Sequence, residues 1–150
     1  FYPLQTFSVD RAVDFRTLPV CLEGSDHATA QWLENLAQGL TEQVHRVDSE
    51  QRQQLHLAAV FVCNFVNHMY AIGHELTAAH NLPFSLLQPL IEETAAKLRT
   101  GSPQAMQTGP ARRGDTATMA AHLKLLEDHP VFQKIYNFVS NSIREQDGNA

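Results

Sequence analysis

The sequence lacks a hydrophobic run of membrane-spanning length. Its longest unbroken apolar stretch, Leu57 to Cys63, is seven residues, against the ~20 that a bilayer requires, so no membrane partner is expected. Cysteine is scarce: Cys21 and Cys63 both sit in apolar surroundings and suit free thiols in a reducing compartment better than a disulfide scaffold. Despite eight histidines there is no H-x-x-x-H pair and no C-x-x-C. His68 and His74, like His74 and His80, are spaced too far apart to share a helical face, so no metal site is expected. G-x-G-x-x-G and the P-loop are both missing, and Ser8 and Ser25 lack the strand-turn-helix setting of a hydrolase nucleophile. Positive charge is short as well: the net charge is -5, which argues against a nucleic-acid partner. No Met opens the chain. Phe1-Tyr2-Pro3-Leu4 puts no basic segment ahead of an apolar stretch, so no signal peptide is read there. The expectation is a piece of a longer, cytoplasmic protein.

What is present supports a packed core: 43% of the 150 residues are hydrophobic and 18% charged, which excludes disorder for the chain as a whole. The pattern changes near residue 48. Residues 1–47 read as mixed α/β. Tyr2, Leu4, Thr6 and Ser8 would share one side of a strand, and Pro19 to Glu23 form a second. Ser25 or Asp26 can cap a helix whose apolar positions Ala28, Trp32, Leu33, Leu36 and Leu40 recur at helical spacing. Val44 to Val47 form a third strand. Strand, strand, helix, strand is α/β grammar, but 47 residues are few to close such a sheet. Either these are the last elements of a larger sheet, or a small sheet packs on helices.

Residues 48–150 read as helices. Asp48 and Gln51 resemble a capping box, opening a helix from Ser49 to about His80. Its centre, Leu57 to Ala71, is apolar on every face, so it must be surrounded. Neighbouring helices supply some cover and a second subunit the rest, which predicts a homodimer. Asn81-Leu82-Pro83 ends that helix. The next carries a stripe of Leu86, Leu87, Leu90, Ile91, Thr94 and Leu98, with Pro89 predicting a kink or a late start. A loop over 104–114 follows. Asp115 can cap a helix to about Leu126, and after His129-Pro130 a last helix carries Val131, Ile135, Phe138, Val139 and Ile143. The tail 146–150 is expected to fray.

Two polar groupings stand out. On a regular helix, with His56 at zero, Asn67 falls near 20°, Asn64 near 80° and His68 near 120°, at about 100° per residue. Buried amides and imidazoles are costly unless paired, so these four either bond neighbouring backbone or a second subunit, or they line a polar cleft. The second grouping is the loop Gln107-Thr108-Gly109-Pro110-Ala111-Arg112-Arg113-Gly114-Asp115. Its guanidiniums can clamp a carboxylate or phosphate; the plain structural alternative is that Asp115 caps a helix and the arginines are solvated.

Four segments carry a resemblance. They are Phe1 to Ser8, Leu55 to Tyr70, Leu82-Pro83-Phe84 with Pro89-Leu90-Ile91, and Gln107 to Asp115. Together they resemble a bacterial family with an N-terminal Rossmann-like domain and a C-terminal helical domain of unknown function. The family is described as coenzyme F-420 (deazaflavin)-dependent NADP oxidoreductase-like, and its architecture is similar to pyrroline-5-carboxylate reductase, ketopantoate reductase and prephenate dehydrogenase. The resemblance runs over essentially the whole chain. It implies a mostly α fold: a helical domain like the C-terminal domain of 6-phosphogluconate dehydrogenase over 48–150, preceded over 1–47 by the last α/β elements of an incomplete Rossmann-like domain. Members carry a G-x-G-x-x-G fingerprint that this chain lacks, so the coenzyme-binding half would lie upstream and none would bind this chain alone.

The resemblance also implies roles. Pro3, Gln5 and Thr6 would border the nicotinamide of NAD(P). His56 would donate the proton to a carbonyl or imine as it is reduced, and Asn64 would hold the substrate's polar end. Asn67, His68, Thr108, Arg113 and Asp115 would complete the cleft for a small-molecule substrate. Three functions follow: the substrate-binding and dimerisation part of an NAD(P)-dependent oxidoreductase, a non-catalytic ligand-binding relative, or a purely structural helical dimerisation module.

Overall fold

A computed structural model describes residues 1–148. The fold is mostly helical with one small sheet, as the sequence pattern predicts. Tertiary contacts divide the chain into two units, Phe1–Ala71 and Ile72–Ala150.

In the first unit, β2 (Val20–Leu22) is central, between β1 (Tyr2–Pro3), which is antiparallel to it, and β3 (Val44–Arg46), which is parallel. The register pairs Tyr2 with Cys21 and Val20 with Val44. The first strand is shorter than the alternation through Ser8 predicts. Leu4 N–H still donates to Pro19 O at 2.9 Å, but Pro19 has no N–H to return, so the antiparallel ladder stops there. Pro3 is tolerated because β1 is an edge strand.

The parallel pair β2–β3 is joined by α1 (His27–Gln38), which Asp26 caps by accepting the Thr29 N–H at 2.8 Å. Gly24 is required at the turn before it, because a Cβ there would lie 2.6 Å from Ala30 N. Val20, Leu22 and Ala37 form the core, with Leu33 and Val44 packed against it. Buried Thr41 donates its hydroxyl to Leu18 O at 2.8 Å and accepts from Gln43 N–H at 3.0 Å, so its burial leaves no orphan group.

The capping box forms as expected: Asp48 accepts from Gln51 N–H and the Gln51 side chain accepts from Asp48 N–H. It opens α2 (Ser49–Ala59). The Glu23 carboxylate ties the end of β2 to this helix through the Ser49 hydroxyl and through Arg52 at 2.7 Å. A π turn, Val60–Phe65, then leads into α3 (Val66–Ala78). That turn is absent from a regular-helix reading, and it alters which residues share a face. Bonding i→i+5 inserts one extra residue into the coil, so side chains beyond it rotate by about one residue step, ~100°. The common arc from His56 therefore loses Asn67 beyond the π turn, while His68 turns towards it. The helix from Ser49 to Ala78 is long and apolar enough, by length and composition, to cross a membrane, and its most apolar window is not buried within the chain. A second copy of the chain would cover the same surface.

In the second unit, α3 ends in a Schellman motif. Asn81 adopts φ 56°, its N–H donates to Ala78 O, and Leu82 N–H donates to Thr77 O, which satisfies carbonyls left open at the helix end. Pro89 gives a late start: a 3-10 turn, Phe84–Leu87, precedes α4 (Gln88–Lys97), with Pro89 in its first turn, where no N–H is needed. Asp115 caps α5 (Thr116–Leu125), and α6 runs Pro130–Gly148. The last helix thus extends into the segment expected to fray; residues 149 and 150 lie outside the described part. Met119, Leu126 and Ala111 are buried. Much of the predicted apolar stripes is not covered within the chain: Leu86, Leu90, Leu98, Val131, Phe138 and Val139 are exposed.

Candidate functional site

In the first unit the edge strand and the long helix form one pocket. Its volume is about 400 Å³, within the range of small-molecule sites, and it is lined by Tyr2, Leu4, Gln5, Thr6, Leu55, His56, Ala58, Ala59, Val60, Val62, Cys63 and Asn64. The β1 end supplies Tyr2, Leu4, Gln5 and Thr6. The last turns of α2 supply Leu55 to Ala59, and the π turn supplies Val60 to Asn64. The Tyr2 hydroxyl lies 3.3 Å from His56 Nδ1, and the two rings are tilted at 60° with centroids 6.4 Å apart. Leu4 to Thr6 form a tight bend: Gln5 N–H donates to Pro3 O at 3.1 Å, and Thr6 N–H donates to Gln5 Oε1 at 2.8 Å. Among the described residues the Gln5 amide NH2 has no protein acceptor, and it is open to a ligand.

Of the residues singled out in the sequence, Gln5, Thr6, His56 and Asn64 line this pocket, and Pro3 is the strand residue beside them. Asn67 and His68 stand on α3 beyond the π turn and are not part of the lining. Tyr2 was missed as a site residue, although alternation already puts it on the same side as Leu4 and Thr6.

Thr108, Arg113 and Asp115 belong to the second unit. Gly109 (φ 104°) and Gly114 (φ 64°) turn the loop, a conformation that favours glycine. Asp115 performs the helix cap: it accepts from Thr118 N–H at 3.0 Å and from the Thr118 hydroxyl at 2.7 Å. The Thr118 amide, then its hydroxyl, hold the Asp115 carboxyl below its ordinary value, with smaller help from the charges of Arg113 and His122. Thr108 and Arg113 are exposed. A second His–Tyr pair, His122 Nδ1 to Tyr136 Oη at 2.9 Å, borders a cavity of about 330 Å³ with Leu76, His80, Leu125 and Leu126. Among the described residues no group of three or more His, Cys, Asp or Glu side chains is arranged to hold a metal ion.

The two strand-to-helix turns of the first unit do not suit a dinucleotide. Pyrophosphate needs close backbone approach and open N–H groups at a helix start. Here the Asp26 and Asp48 carboxylates occupy both helix starts, each accepting one of those N–H groups, from Thr29 and Gln51, and Gly24 is packed on Ala30. Negative charge at both helix starts would repel phosphate.

Residues 18–143 match the model of a family described as a domain of unknown function (DUF2520). No curated protein matches the chain significantly. Among solved structures, the chain is 49% identical to a Bacteroides fragilis protein to which an NADP oxidoreductase function is attributed. That match covers 97% of this chain and 56% of the other, with a TM-score of 0.92. It also matches protein TM1727 from Thermotoga maritima, at 20% identity over 99% of this chain and 60% of the other, with a TM-score of 0.80; at that identity the likeness speaks to the fold alone. The chain thus spans little more than half the length of these solved proteins.

Proposed function

Because the chain belongs to the family described as a domain of unknown function (DUF2520), we propose that it is the substrate-binding and dimerisation part of an NAD(P)-dependent oxidoreductase acting on a small carbonyl or imine. On this reading residues 1–47 are the closing elements of a Rossmann-like domain, and residues 48–150 are the helical domain. The observation that carries it is the meeting of Tyr2, Gln5, Thr6, His56 and Asn64 around one pocket. The Bacteroides fragilis relative adds support for the cofactor class.

A carbonyl that accepts a hydride gains negative charge on oxygen and then a proton. An imidazole is suited to that donation near neutral pH, and His56 is the candidate. Tyr2 orients its ring, Asn64 holds the substrate's polar end, and Pro3, Gln5 and Thr6 border the nicotinamide. Asn67 and His68 of the first unit, and Thr108, Arg113 and Asp115 of the second, are proposed as further substrate-binding residues. The two strand-to-helix turns offer dinucleotide phosphates no fitting cradle, so cofactor binding, whether of NAD(P) or deazaflavin, is assigned to the longer protein. We place the protein in the cytoplasm, with no nucleic-acid or membrane partner.

The test is NADPH and NADH oxidation by the full-length protein against a panel of ketones, 2-oxo acids and cyclic imines. Turnover of one class supports the reading; a full panel without turnover by protein that binds NADPH leaves a ligand-binding role and overturns catalysis. Calorimetry on these 150 residues alone should show no micromolar NADPH binding, and such binding would overturn the division of labour.

A further inference from the structure

We propose that the pocket between the β1 end and the α2–π segment selects a ligand whose inserted part is uncharged and largely apolar, with its carbonyl oxygen held by His56 Nε2–H. This deepens the reading above and rests on it only for the statement that the ligand is a substrate.

The lining makes the selection. Leu4, Leu55, Ala58, Ala59, Val60 and Val62 form an aliphatic wall, and among the described residues no Asp, Glu, Lys or Arg lines the pocket. A carboxylate or phosphate entering it would shed water without gaining a guanidinium or ammonium, which is strongly unfavourable. Arg52 lines a neighbouring cavity that shares Tyr2 and His56 with this one, and it is engaged by Glu23 at 2.7 Å. A neutral carbonyl compound meets no such cost, because its hydrocarbon body packs on the aliphatic wall and only its oxygen needs a partner.

The Tyr2–His56 pair supplies that partner. A neutral imidazole carries one proton, on Nδ1 or Nε2. In the neutral ring the proposal makes the Tyr2 hydroxyl, 3.3 Å away, the donor to Nδ1 and leaves the ring proton on Nε2. Among the described residues no protein acceptor is recorded for Nε2, so that N–H is open to a ligand oxygen. Tyr2 is thus a positioning residue: it acts on the ligand through the tautomer of His56.

The experiment uses the 150-residue chain labelled with 15N-histidine and no cofactor, so its outcome is independent of whether turnover is ever found. Imidazole nitrogen shifts report the tautomer. Cyclohexanone and cyclohexanecarboxylate are titrated as matched probes. The expected result, read at alkaline pH where imidazole is neutral, is His56 protonated on Nε2, perturbed by cyclohexanone at a concentration about tenfold or more below that needed for the carboxylate. In Tyr2→Phe the preference for Nε2 relaxes towards that of free histidine and cyclohexanone binding weakens roughly threefold or more. Equal or tighter binding of the carboxylate, a wild-type His56 protonated on Nδ1, or no effect of either probe on His56 would each overturn the proposal.

Discussion

Tyr2 Oη and His56 Nδ1 stand 3.3 Å apart although 54 positions separate them in sequence. The contact joins the edge strand to the long helix on the wall of the pocket, and it gives the proposed proton donor a fixed neighbour. In the full-length enzyme, His56→Ala should lower turnover by ~10²–10⁴-fold. Circular dichroism should be unchanged, because His56 is exposed and packs no core. Full turnover by this variant with an identified substrate would make His56 structural.

The stability of the first unit should depend on β2 far more than on the outer face of α1. Leu22 is 1% exposed, whereas Leu36 on α1 is 47% exposed. Urea unfolding should give a loss of about 2–5 kcal/mol for Leu22→Ala and under about 1 kcal/mol for Leu36→Ala. Similar losses for both would mean that Leu36 is covered by a partner in solution.

Asp115 separates capping from ligand binding. Its carboxyl is held below the ordinary value by the Thr118 amide and hydroxyl, so the folded state favours the ionised form. A depressed folded pKa contributes stability that is full above the unfolded value, about 3.9, and is lost as pH falls through the folded value. Asp115→Ala should melt at a lower temperature than wild type at neutral pH, and the gap should narrow in acid. Asp115→Asn, which accepts the amide proton without the charge, should fall between the two at neutral pH. A gap independent of pH would contradict the ionised cap.

Assembly can be read from the long helix. Leu57, Phe61, Val62, Phe65 and Met69 are all exposed within the chain, and Phe61 and Phe65 pack edge-to-face at 5.0 Å. Exposed apolar patches of this kind mark contact surfaces. Sedimentation at micromolar concentration should give a dimer, and Phe61→Asp should give monomers. A wild-type monomer would count against the homodimer, and recovery of the chain only with detergent would favour a membrane surface instead.

The chain's local devices were readable from residue order alone. The capping box of Asp48 and Gln51, the caps at Asp26 and Asp115, and the late helix start at Pro89 are decided within a few residues. A side-chain oxygen reaches only the nearest N–H groups, and proline restricts only its own turn. The mostly helical class followed from apolar spacing for the same reason. Tertiary structure decided the rest. The first strand ends at Pro3 because its partner across the ladder is Pro19, a pairing that neighbouring residues do not encode. The π turn at Val60–Phe65 shifts the faces of the helix, so a constant 100° step misplaces both Asn67 and His68 relative to His56, and both stand several turns along the axis from it. Tyr2 met His56 because the sheet edge lies beside α2, which Glu23 at the end of β2 ties in through Ser49 and Arg52, a relationship that spacing along the chain does not encode.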